Sequence, residues 1–117
     1  MDAEIKQEFI GAGIDVDDAL HRFMERDDLF VRFMKDYLED DNLEKVKSSL
    51  ADGNVGDAFN YAHTLKGVAG NLSMKGMLKD LVPVVEILRI GSTEGIDDYI
   101  KEISDDNAKI LDVINKL

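Results

Sequence analysis

Asn60-Tyr61-Ala62-His63-Thr64-Leu65-Lys66-Gly67-Val68-Ala69-Gly70-Asn71-Leu72-Ser73 reads as one helix with two unlike faces. Each residue advances a helix by about 100°, so Ala62, Leu65, Val68, Ala69 and Leu72 recur at helical spacing. On that wheel Tyr61, Leu65, Val68 and Leu72 form one apolar side. His63 points away from it, within roughly 60° of Phe59, Asn60, Lys66, Gly67 and Gly70. Glycine inside a helix costs up to about 1 kcal/mol relative to alanine. Two glycines on the outward face therefore suggest that something approaches this helix closely. Lys66, one turn beyond His63, supplies positive charge of the kind an anionic group needs.

At these residues the chain resembles a known family. The run Ala62-His63-Thr64-Leu65-Lys66-Gly67-Val68-Ala69-Gly70-Asn71-Leu72 is similar to the signature of histidine-containing phosphotransfer (HPt) domains. Those helical modules relay phosphoryl groups between receiver domains in two-component signalling. The match is specific at His63, Leu65, Lys66, Gly67 and Leu72, and helix number and order agree over about the whole chain. Ser73 stands where the family commonly has glycine, and it is expected to cap the following helix. The resemblance implies that His63 is the phosphoacceptor, at the ring nitrogen remote from the backbone. It implies that Lys66 attracts the phosphoryl group and the partner's acidic pocket. Gly67 and Gly70 would let the partner's backbone close in, beside Asn60, with Phe59 as a partly exposed apolar anchor. The implied partners are response-regulator receiver domains, which bring their own aspartate and magnesium, and hybrid sensor kinases. The carrier itself would be a monomer without kinase or hydrolase activity.

Composition narrows the alternatives independently. With 117 residues the chain suits one domain, and it has no cysteine to staple it. The absence of cysteine fits a reducing, cytoplasmic setting. Met1-Asp2-Ala3-Glu4 lacks signal-peptide character, and the apolar run Leu81–Val85 is far too short to span a membrane. A net charge of -11 argues against nucleic acid or an anionic membrane as partner. The acids are unevenly spread. The chain has 25 of them, so a 22-residue window should hold about five, yet residues 58–79 hold none. That window carries Lys66, Lys75 and Lys79, so the imidazole sits in a locally cationic stretch of an acidic protein.

The rest of the chain reads as helices joined by short turns. Short helices are expected over residues 3–10 and 15–24, the second capped by Asp15 or Asp17, with His21 facing solvent. Leu29, Phe30, Phe33, Met34, Tyr37 and Leu38 make an apolar stripe that Leu43, Val46 and Leu50 resume. The polar run Glu39-Asp40-Asp41-Asn42 between them allows one bent helix or two, and the resemblance favours a single helix over 28–51. That run lacks the spacing of a calcium loop. After the turn Asp52-Gly53-Asn54 come helices over about 55–72, 74–90 and 93–116. Pro83 is expected to kink the second of these and Gly91 to stop it. Ile96, Ile100, Ile103, Asn107, Ile110, Ile114 and Leu117 form a heptad seam in the last, with Asn107 as a buried register-setting group. No strand-like alternation appears. The expected fold is all-α, an up-down-up-down four-helix bundle with short additional N-terminal helices.

The residues around His63 offer no self-contained catalysis. There is no glycine-rich phosphate loop, no second histidine at ligand spacing and no carboxylate in the 22-residue window. Neither a metal nor an organic cofactor is expected. Two further readings stand beside the carrier: the phosphoacceptor domain of a chemotaxis-type histidine kinase, and a protein-interaction bundle that is not phosphorylated.

Overall fold

A computed structural model describes residues 1–117 and contains only helices: α1 (Ala3–Gly11), α2 (Val16–Arg22), α3 (Asp27–Asp36), α4 (Asn42–Ala51), α5 (Val55–Asn71), α6 (Lys75–Arg89) and α7 (Ile96–Ile114). A single 3-10 turn, Tyr37–Glu39, follows α3. The molecule is elongated, 43 × 23 × 21 Å. Helix α5 packs against α4 on one flank and α6 on the other, and α7 packs against α6. Helix α1 touches both α2 and α7.

Burial follows the helical periodicity. Met77, Leu81, Val84, Val85 and Leu88 of α6 are buried, as are Ile96, Ile103, Ile110 and Ile114 of α7. Pro83 is accommodated inside α6. Gly91 ends the region after α6 with φ 76°, a left-handed conformation in which glycine avoids the steric cost of a side chain. The half-buried Asn107 accepts a 2.6 Å hydrogen bond from the Tyr37 hydroxyl, joining the end of α3 to the middle of α7. Burial pushes the Tyr37 phenol well above its ordinary value, which keeps that hydrogen in place as a donor.

Three expectations need correction. The single helix over 28–51 is two, α3 and α4, separated by the 3-10 turn. At Asp40 the backbone swings to an extended ψ of 123°. Its carboxylate accepts from the Asn42 backbone and side-chain amides at 2.9 and 3.0 Å, so the acidic run hydrogen-bonds itself into a turn instead of continuing a helix. The last helix starts at Ile96, not near 93, because Gly95 before it takes φ 75°. Ser73 does not cap α6, whose N-cap is Met74 without any side-chain bond.

Ser73 has a different role. It is fully buried at φ 53°, a left-handed conformation unusual for a residue with a side chain. Its hydroxyl donates to the Asp18 carboxylate at 2.5 Å, and its carbonyl accepts from the Asp15 backbone at 2.9 Å. Arg22 at 3.1 Å and Lys75 at 3.7 Å complete the setting of Asp18. Beside it the backbones of Gly13 and Gly76 meet: a Cβ on Gly13 would lie 3.2 Å from the Gly76 Cα. The α1–α2 loop is thus pinned to the α5–α6 turn, with Asp15 capping α2 through a 3.1 Å bond from the Asp18 amide.

This knot has a pH signature. The Asp18 carboxyl is lowered from an ordinary 3.8 to about 2, first by the Ser73 hydroxyl and next by Arg22. Folding therefore favours its ionised form. That contribution is complete above the unfolded value and is lost as pH falls from 3.8 through about 2. Ser73→Ala is expected to lower the melting temperature near neutral pH and to move the Asp18 carboxyl back toward its ordinary value. Carboxyl-detected NMR titration of both proteins checks this, and an unmoved Asp18 would contradict it.

Candidate functional site

Helix α5 is built to bury one line of small residues. Ala58, Ala62, Leu65 and Ala69 are fully buried, whereas Tyr61 and Val68 are only half-buried. The core line is therefore rotated from the Tyr61–Leu65–Val68–Leu72 side that large residues suggest. Alanines let α4 and α6 approach α5 closely. The helix starts at an Asn54 cap whose side chain accepts from the Asp57 amide at 3.0 Å.

His63 lies on the opposite side, exposed, and no hydrogen bond or ion pair inside the chain involves its ring. By contrast His21, 87% exposed, faces Glu25 at 3.7 Å. One turn before His63, the half-buried Phe59 stacks on the imidazole with centroids 5.7 Å apart and planes at 30°. The Arg89 guanidinium, from the C-terminal end of α6, sits 5.0 Å over the other partner of that stack, the Phe59 ring. Helices α5 and α6 run antiparallel, which brings residue 89 back alongside residue 59. Sequence reading missed Arg89, because only the tertiary pairing delivers it.

Of the three lysines in the acid-free stretch, two are committed elsewhere. Lys75 pairs with Asp18 at 3.7 Å, and Lys79 pairs with the buried Asp80 at 3.7 Å. Lys66 is the one without an ion-pair partner, half-buried and one turn beyond His63 on the same surface. Unpaired positive charge beside the imidazole thus comes from Lys66, since Arg89, lying over Phe59, also pairs with Glu86 at 3.4 Å.

The outward face is bare. A Cβ added at Gly67 or Gly70 would meet nothing within 4 Å. Gly67 is exposed and Gly70 half-buried. Neither glycine serves to admit another helix of this chain, unlike Gly13 and Gly76 at their backbone contact. Asn60 is exposed on the same face, and its carbonyl accepts from the Thr64 hydroxyl at 2.9 Å. The structure therefore gathers Phe59, Asn60, His63, Lys66 and Gly67 on one surface, with Gly70 at its edge.

Shape limits what this surface can do. Neither of the two cavities in the molecule is lined by His63, Lys66 or Phe59. No group of three or more histidine, cysteine, aspartate or glutamate side chains is placed to hold a metal ion. No helix is long and apolar enough to cross a membrane. A convex helix face with an unpaired imidazole cannot enclose a small substrate, but it can present a nucleophile to a concave partner. No family model, curated protein or solved structure matches the chain.

Proposed function

We propose that this protein is a phosphorelay carrier of the HPt type, accepting a phosphoryl group on His63 from a receiver-domain aspartyl phosphate and passing it to another receiver. The observation that carries the reading is the unpaired, exposed His63 on a face with Lys66 beside it and no side chain at 67 or 70. In the forward step the lone pair of the outer ring nitrogen, Nε2, attacks phosphorus. A P–N bond forms, the acyl-phosphate P–O bond breaks, and the receiver's carboxylate leaves with the electron pair. The Nδ1 proton stays on the ring and can pass to solvent. Lys66 offsets the negative charge of the transferring group. Return transfer reverses these steps, and the receiver contributes the magnesium. The four-helix part of the proposal places α5 beside α4 and α6, with α7 closing against α6, and it sets the work in the cytoplasm, with a monomer as the working unit.

Incubation with a phosphorylated receiver is expected to label the protein, whereas ATP and magnesium alone leave it unmodified. Phosphohistidine formed from ATP by the pure protein would contradict the carrier reading. Lys66 acts by charge in this account. Lys66→Ala is expected to slow transfer by a barrier of about 1–2 kcal/mol, with Lys66→Arg milder and an unchanged melting curve. A Lys66→Glu variant that transfers at the normal rate would remove the electrostatic role.

A further inference from the structure

A second site lies on another side of the molecule. A cavity of about 780 Å³ opens between α2, α3, the 3-10 turn and the C-terminal end of α5. That size falls in the range of small-molecule sites, roughly 300–1,000 Å³. Its walls are apolar: Phe23 and Phe33 stack at 5.1 Å with planes 15° apart, and Val68 and Leu72 line it from α5. Phe33, covered on one side by Phe23, is still 43% exposed, a large apolar surface left open to solvent.

The rim is acidic. Asp36, Glu39 and Asp40 line the opening, and none of the three has an ion-pair partner. The single cation there, Arg22, is already held by Asp18 at 3.1 Å. From the aromatic walls and this charge we infer that the cavity binds a small organic cation with a flat apolar body, its ammonium or guanidinium head at Asp36 and Glu39. An anion would meet repulsion from the rim and from a chain of net charge -11. A second copy would oppose one acidic rim to another. The site is distinct from His63: position 68 lies about 140° around α5 from position 63.

The test uses the whole protein and three probes of one shape: 4-phenylbutylammonium, 4-phenylbutanol and 4-phenylbutyrate. Binding is followed by the NMR shifts of the Val68 and Leu72 methyl groups, and self-association by sedimentation. The cation is expected to saturate, to bind about fivefold more tightly than the alcohol, and to weaken as salt rises. The carboxylate should not saturate. In D36N/E39Q, whose changes are at exposed positions, the cation's advantage should vanish while the alcohol binds as before. Three probes binding alike, no saturable shift at all, or a concentration-dependent dimer that the cation dissociates would each overturn the assignment.

Discussion

Replacing His63 by glutamine is expected to abolish phosphoryl uptake completely while leaving the fold almost untouched. The side chain is exposed and has no hydrogen-bond or ion-pair partner in the chain, so its removal leaves no buried group unsatisfied. Glutamine is at least as good a helix former as histidine. The stacking contact with Phe59 is the one intramolecular interaction at stake. The melting temperature should therefore stay within the shift expected of a surface change, about 0.5 kcal/mol in stability. His21→Gln is the matched control and should label normally, since that ring faces Glu25 on a separate surface. Labelling of the His63 variant at the wild-type level would remove the residue from its role.

Gly67 is expected to show stability and function moving in opposite directions. A glycine inside a helix loses more backbone entropy on folding than alanine does. Gly67 has an ordinary helical conformation, and a Cβ there meets nothing within 4 Å. Gly67→Ala should therefore stabilise the protein by about 0.5–1 kcal/mol. Position 67 lies within about 40° of His63 and one turn along. A long side chain there stands between the imidazole and an incoming receiver. Gly67→Gln should stay folded and transfer at least about tenfold more slowly, equivalent to about 1.4 kcal/mol, with the loss mainly in receiver affinity. Melting curves and transfer rates on the two variants check this. A lower melting temperature with unimpaired transfer would sink it.

The outward face was legible because it depends only on helical geometry. Once residues 60–73 are read as helix, the wheel puts His63, Gly67 and Asn60 together without any tertiary information. The core side of the same helix was less legible. Large apolar residues draw attention to Tyr61 and Val68, yet the deepest positions belong to Ala58, Ala62 and Ala69, where close packing selects for small volume. The break after α3 was present in the sequence as Glu39-Asp40-Asp41-Asn42. Its outcome depended on whether Asp40 bonds locally, which composition alone does not decide. Ser73 was misread because a serine before a helix usually caps it, whereas here Asp18, 55 residues away, takes its hydroxyl. Arg89 belongs to the same class, since its place over Phe59 exists only through the antiparallel pairing of α5 and α6.

The charge around His63 also changed in meaning. As a stretch of sequence it held three lysines, but Lys75 and Lys79 each face a carboxylate at 3.7 Å, which offsets their charge. The electrostatic part of the account therefore rests on Lys66, because Arg89, braced on Phe59, is paired with Glu86 at 3.4 Å. Arg89→Ala would uncover the Phe59 ring and leave Glu86 without its 3.4 Å partner, two changes that Lys66→Ala does not make.

The most direct measurement of the central claim is the chemical identity of the labelled atom. The protein is incubated with a phosphorylated receiver and magnesium, separated from it, and digested at alkaline pH for mass spectrometry, with parallel nitrogen–phosphorus NMR. The account predicts an acid-labile, base-stable phosphoryl group on the residue 63 ring, at Nε2, and none on His21. A base-labile acyl phosphate on a carboxylate, a label on His21, or no label from any competent receiver would contradict it.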